Sequence, residues 1–172
     1  MRQLLLAPAM LALHCASPQP MPTVAKVDLP RFMGKWYVIA TIPTFIETEA
    51  FNATEEYTLT PDGEIDTVFT FRKGAFDGPE KKYNPRGFVV NQETKAEWKM
   101  QFLWPFKSEF LISYVSDDYA RTIIARTKRD YVWIMARSAQ LPEVEYQKLV
   151  AFLQQNGYDT TKLRRVPQQD GK

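Results

Sequence analysis

A chain of 172 residues with 45% hydrophobic and 24% charged side chains has the size and composition of one globular domain with its own core. Its net charge is only +2, with Lys and Arg interspersed among Asp and Glu, so the basic footprint of a nucleic-acid binder is missing and no nucleic acid is expected as a partner. The single cysteine, Cys15, and the single histidine, His14, both lie in the first fifteen residues, which excludes an internal disulfide, a Ser–His–Asp triad and a His- or Cys-ligated zinc site from the rest of the chain.

Carboxylate chemistry, or binding without chemistry, survives that cut; no metal and no cofactor is expected. Residues 1–14 read as a signal peptide. Arg2 supplies the positive charge, and Leu4 to Leu13 is an apolar run far shorter than the ~20 residues a membrane-spanning helix needs. Cys15 falls where cleavage would occur, an arrangement that resembles a bacterial lipoprotein site and implies a lipid anchor to a membrane at Cys15. His14 stands where such sites carry a small residue, so a plain secretory signal with an incidental cysteine is the alternative. Residues 15–27 are Pro-rich and read as a flexible tether.

From Asp28 onward, strand-like runs follow one another with turn signals between them. Trp36 to Thr41 is the first, entered through Gly34. Thr54 to Thr60 is the second and stops at Pro61-Asp62-Gly63, a strong turn signal. Ile65 to Arg72 is the third, with Ile65, Thr67, Phe69 and Phe71 on one face. Lys81 to Val90 is interrupted by Pro85, which predicts a bulge or an edge. Glu97 to Phe102 alternates cleanly, with Trp98, Met100 and Phe102 on the buried face. Glu109 to Val115 sets Phe110, Ile112 and Tyr114 on one face. Arg121 to Thr127 and Tyr131 to Arg137 complete eight strands.

The eighth run, Tyr131-Val132-Trp133-Ile134-Met135-Ala136, is apolar on both faces, so something must cover its outer side. Pro142 to Asn156 supplies it. This is the one predicted helix, closed by Gly157, with Tyr146, Leu149, Val150 and Leu153 as a single apolar stripe. A short strand over Thr161 to Val166 comes next, then a polar tail, 167–172, read as loose. The expected architecture is all-β: an eight-stranded antiparallel up-and-down β-barrel over residues 28–166, with one C-terminal helix packed outside and a short final strand.

Three motifs carry a family resemblance. Gly34-x-Trp36-Tyr37 resembles the first signature of the lipocalin family, Asp117-Asp118-Tyr119 the second, and Arg137 the third. Asp130-Tyr131-Val132-Trp133-Ile134 further resembles the bacterial outer-membrane lipoprotein lipocalins and their apolipoprotein D-like relatives. The resemblance implies that Trp36 closes the barrel floor with Arg137 lying across it, a cation–π contact worth about 0.5–2 kcal/mol. Gly34, Trp36, Tyr37 and Arg137 are therefore structural, and the barrel cavity is the candidate ligand site.

Strand alternation predicts its lining. If Trp36 points inward, so do Val38 and Ala40; if Arg137 shares an inward phase, so do Trp133 and Met135. Phe69, Phe71, Trp98, Met100, Phe102, Phe110, Ile112 and Tyr114 complete the set. Glu55 and Glu56 are adjacent and so lie on opposite faces, a poor acid/base pair, with one of them expected inward and in contact with a polar headgroup. Thr41 to Phe51 resembles the long lid of the family, with Ile42, Pro43, Phe45 and Ile46 more apolar than a solvated loop needs. Leu103-Trp104-Pro105-Phe106 is a second apolar loop at the same open end.

The function implied is non-enzymatic: binding, storage or transport of a small apolar ligand, a fatty acid or lysophospholipid, in the bacterial cell envelope. The location implied is the outer membrane facing the periplasm, or the periplasm if Cys15 carries no lipid. The alternatives are an envelope interaction protein with a filled barrel and a lipid-modifying enzyme; a homodimer is left open.

Overall fold

In the computed structural model, which describes residues 19–169, alternating side chains roll one antiparallel sheet into a closed barrel. The predicted signal and Cys15 lie outside the described residues. The strands are β1 (Gly34–Ile42), β2 (Ala50–Leu59), β3 (Glu64–Lys73), β4 (Glu80–Tyr83), β5 (Arg86–Val89), β6 (Glu97–Leu103), β7 (Phe106–Val115), β8 (Arg121–Ala125), β9 (Val132–Ala136) and β10 (Arg164–Arg165). Neighbours pair in chain order and β9 returns to β1, so the barrel has no free edge. β4 and β5 are one barrel strand broken at Asn84-Pro85, since proline cannot donate to a ladder. Eight staves therefore close the barrel, as expected.

A helix, α1 (Leu29–Phe32), plugs the closed end. A second, α2 (Glu143–Gln155), lies outside, and a 3-10 turn (Thr160–Lys162) precedes β10. Tyr146, Leu149 and Leu153 of α2 are buried with Val132, Ile134 and Ala136 of β9, and with Ile123 and Ala125 of β8. The doubly apolar β9 is thus accounted for: Trp133 and Met135 belong to the barrel interior, and their neighbours lie under the helix.

Both ends of the domain are tied down more tightly than their composition suggests. The stretch expected as a flexible tether is docked from Gln19 onward. Met21 and Val27 are buried, the Val24 amide donates to the Ile112 carbonyl at 3.0 Å, and the Val27 amide donates to Thr94 at 2.7 Å. The tail is held as far as Gln169. The Gln168 side chain donates to the Val38 and Ala53 carbonyls, and the Gln169 amide donates to Asn52 Oδ1 at 2.7 Å. Proline and glutamine here mark extended chain that finds backbone partners, not slack. The final strand is also shorter than expected, because Asp159 caps the 3-10 turn through the Thr161 amide and takes up Thr160 to Lys162.

Candidate functional site

The closed half of the barrel is solid. Phe32 from α1 meets Trp36, Tyr57 and Trp98 at ring-centroid distances of 5.1, 5.8 and 5.6 Å, and Trp98 stacks on Phe110 at 5.2 Å. Val38, Ile112, Ile124 and Met135 fill the rest. Beneath this layer the Arg137 guanidinium lies 3.8 Å over the Trp36 ring. It donates to the carbonyls of Arg31, Phe32, Met33 and Lys35, stitching α1 to the start of β1. Gly34 has φ +87°, and a Cβ there would come within 3.5 Å of Arg137 Nη1. Tyr119 (φ +57°) accepts the Asp28 amide at 2.8 Å and stacks under Arg31 at 4.2 Å, so the Asp117-Asp118-Tyr119 corner also secures the closed end.

The open half encloses a cavity of about 500 Å³, within the ~300–1,000 Å³ typical of small-molecule sites. Glu55, Phe69, Met100 and Tyr83 form its inner surface. Phe102, Leu103, Ser108 and Glu109 line the β6–β7 side, and Arg126, Tyr131 and Trp133 line the β8–β9 side. Thr44 to Glu47 of the β1–β2 loop fold over the top. The wall is mostly apolar, with a few convergent polar groups.

Of the predicted lining residues, Phe69, Met100, Phe102 and Trp133 face this cavity. Val38, Trp98, Phe110, Ile112 and Met135 point inward but are packed into the solid half below it. Phe71 is inward and covered by Tyr83 and Phe69, at 6.2 and 5.3 Å. Ala40 and Tyr114 do not point inward at all. Each comes after a β-bulge, between Val38 and Ala40 in β1 and between Ile112 and Tyr114 in β7. One extra residue inverts the phase beyond it. Ala40 then lies under α2 opposite Ile134, and Tyr114 packs outside on Phe152 at 5.8 Å.

The residues that sequence reasoning missed are mostly polar. Glu47, only 4% exposed, hangs from the lid loop. It accepts from the Thr44 amide and hydroxyl, each at 3.0 Å, and from the Trp133 indole at 3.1 and 3.2 Å. Burial pushes its carboxyl above the usual range. Glu55 is the inward member of the adjacent pair, 6% exposed, and accepts from the Tyr57 hydroxyl. Burial, with a smaller push from Glu47, raises it to about 7, against the Tyr57 bond that lowers it. Tyr57 itself is held well above the ordinary tyrosine range by burial and by Glu55. The adjacency of Glu55 and Glu56 left open which one is inward, and the structure selects Glu55; nothing local marks Glu47, whose partner Trp133 is distant in sequence. Among the described residues no three His, Cys, Asp or Glu side chains cluster as a metal site.

A family model described as a lipocalin-like domain matches residues 27–168. Temperature-induced lipocalin-1 of Arabidopsis thaliana is 31% identical over 162 residues, covering 87% of this chain and 84% of its own. Outer membrane lipoprotein Blc of Escherichia coli K12 is 25% identical over 93% of this chain and 92% of its own. Apolipoprotein D of Mus musculus is 26% identical over 90% and 82%. Among solved structures, apocrustacyanin C2 superposes with a TM-score of 0.66 at 17% identity, covering 83% of this chain and 81% of that one. Insecticyanin of Manduca sexta does so with 0.66 at 16% identity, covering 92% and 87%. The fold, the stacked Trp36–Arg137 closure and these relatives agree: this chain belongs to the lipocalin-like family.

Proposed function

We propose that the protein is a non-catalytic carrier of a long-chain lipid, of the fatty acid or lysophospholipid class, working in a bacterial envelope. The observation that carries this reading is the apolar cavity of about 500 Å³, open at one end of a barrel whose other half is solid. Binding proceeds by transfer from water. Each methylene buried is worth about 0.8 kcal/mol, so a long chain reaches micromolar affinity or better without covalent chemistry. Phe69, Met100 and Trp133 make the wall contacts, and the flexible Met100 adapts to chain shape.

The envelope location is supported by the signal-like residues 1–14 and by the name of the relative from Escherichia coli, an outer membrane lipoprotein. The mouth supports a membrane-facing orientation: Phe45, Leu103, Trp104 and Phe106 are 88, 70, 82 and 73% exposed around it. Gln19 lies at the same end, its carbonyl accepting from Arg129 in the β8–β9 loop at 2.5 Å. A lipid on Cys15 would leave the barrel beside its mouth.

The test is a fluorescence titration of the delipidated protein with a lysophospholipid and a free fatty acid. Trp133 lines the cavity and is the reporter; Trp98 lies in the packed layer beneath. Saturable quenching or a blue shift, abolished in Trp133→Phe, is the expected result. No saturable response to either lipid would overturn the carrier reading and favour a protein partner at the mouth.

A further inference from the structure

The carrier reading leaves the polar end of the ligand unassigned, and any assignment of that end rests on the same reading. Four ionisable carboxylate and guanidinium side chains line the cavity: Glu47, Glu55, Glu109 and Arg126. Two are engaged at the rim. Glu109 accepts from the Thr127 amide at 2.6 Å and the Thr127 hydroxyl at 3.0 Å. Arg126 forms an ion pair with Asp130 at 3.4 Å and leans over the Tyr131 ring, although its buried Nε has no hydrogen-bond partner among the described residues. The other two, Glu47 and Glu55, are more than nine-tenths buried and have no cation beside them among the described residues. Glu47 is satisfied by Thr44 and Trp133. Glu55 lines the cavity and is half-satisfied: Oε2 takes the Tyr57 hydroxyl, and no protein donor among the described residues bonds Oε1.

A carboxyl group in such a place is expensive unless something pairs with it. Leucine or methionine at position 55 would serve the barrel wall better, so the acid points to an occupant. For the ionised carboxylate, the occupant must bring a donor. A carboxylate head would add a fourth acidic group to a cavity already lined by Glu47, Glu55 and Glu109, whose one lining cation, Arg126, sits at the rim 3.4 Å from Asp130. An alcohol would satisfy Oε1 alone. An ammonium group would donate to Oε1 through a charge-assisted bond, the stronger kind, and would be favoured by Glu47 as well.

We propose that Glu55 is the acceptor for the inner end of the ligand, and that this end is a protonated amine on an aliphatic chain. Tyr57 is a positioning residue: its hydroxyl fixes one carboxylate oxygen and leaves the other turned to the cavity. Of the lipid classes above, an amine-bearing lysophospholipid carries the ammonium, with a phosphate that must stay clear of the acidic lining, and a free fatty acid carries no ammonium. The ammonium of a simple alkylamine and that of a zwitterionic headgroup share the same chemistry, and only direct comparison separates them.

The experiment titrates the full chain, near pH 8, with chain-matched tetradecylamine, tetradecanol and tetradecanoate, and with a lysophosphatidylethanolamine, read by Trp133 fluorescence. The amine is expected to bind on the order of tenfold tighter than the alcohol or the acid, the margin of one charge-assisted bond. Glu55→Gln should erase that margin and leave the alcohol nearly unchanged. Glu47→Gln, a loop substitution outside the barrel wall, should reduce the margin in part, and serves if Glu55→Gln does not fold. Lysophosphatidylethanolamine tracking the amine through the variants identifies the headgroup as the source; its failure to do so leaves a simple amine. Acid binding as tight as amine binding, or an amine preference that survives both substitutions, overturns the assignment and leaves the carrier reading standing. Binding of none of the four probes overturns the carrier reading itself.

Discussion

At the residue scale, Glu55 couples the cavity to pH. Its carboxyl sits at about 7 in the folded protein against an ordinary 4.5, so the native state holds a proton that the unfolded chain has already released. Between those values stability falls as pH rises, and above about pH 7 the full cost of an ionised, buried Glu55 is present, roughly 3 kcal/mol. Glu47, also raised by burial, acts with the same sign. The lowered carboxyls, Asp118, Glu143, Glu145 and Asp159, act in the opposite sense, and only at acid pH. Urea denaturation at pH 5 and pH 8 should therefore show the empty wild-type protein less stable at the higher pH, and Glu55→Gln should remove most of that difference. An equal loss of stability in the two proteins would mean that Glu55 is not proton-linked to folding. Arg137 gives a second residue-scale prediction. Its planar head covers Trp36 and donates to five carbonyls, that of Tyr119 included, a fork that an ammonium cannot reproduce. Arg137→Lys should cost about 2 kcal/mol in the same assay while leaving ligand affinity intact, since Arg137 is remote from the cavity wall.

At the scale of elements, the outer helix is as necessary as the barrel it covers. Leu153 is fully buried between α2 and the backs of β8 and β9. Leu153→Ala should cost about 3 kcal/mol, by lost burial plus the cavity left behind, seen as a fall in the urea midpoint with no change in slope. That helix was legible in the sequence from its spacing, its proline and its closing Gly157, because helix periodicity reports a face directly. β3 and β6 were legible too: Phe69, Trp98 and Met100 lie inward as alternation predicts. Ala40 and Tyr114 were not, because a bulge adds one residue with no composition signal of its own and every side chain beyond it changes face. The division between a packed lower half and an open upper half was also hidden. Val38, Phe110 and Met135 have the right phase for a cavity and the wrong depth, and depth depends on α1 driving Phe32 up into the barrel. Glu47 was hidden for a related reason: its place is set by a loop folding back on β9, a long-range contact that no local pattern encodes.

At the scale of the molecule, cavity mouth, apolar loops and N-terminal segment converge on one end. Gln19 is held by Arg129 at the open rim, and from there the chain runs along the wall to Val27 at the closed end, passing Ile112 on the way. Gln19 is four positions beyond Cys15, a reach of about 14 Å when extended, so a lipid attached at Cys15 would keep the mouth near the bilayer. Trp104 and Phe106 stand out beside it, both largely exposed. If this end meets lipid, the protein lacking residues 1–18 should still partition onto phosphatidylethanolamine–phosphatidylglycerol vesicles. Replacing Trp104 and Phe106 together by serine removes about 2 kcal/mol of apolar transfer for each, so partitioning should fall by at least tenfold. The melting temperature should not change, because both side chains are exposed. Val144, exposed on α2 away from the mouth, is the control: Val144→Ser should leave partitioning unchanged. Equal vesicle binding by the parent and the double variant would show that Trp104 and Phe106 do not meet the membrane, and the membrane-facing reading of the mouth would fall.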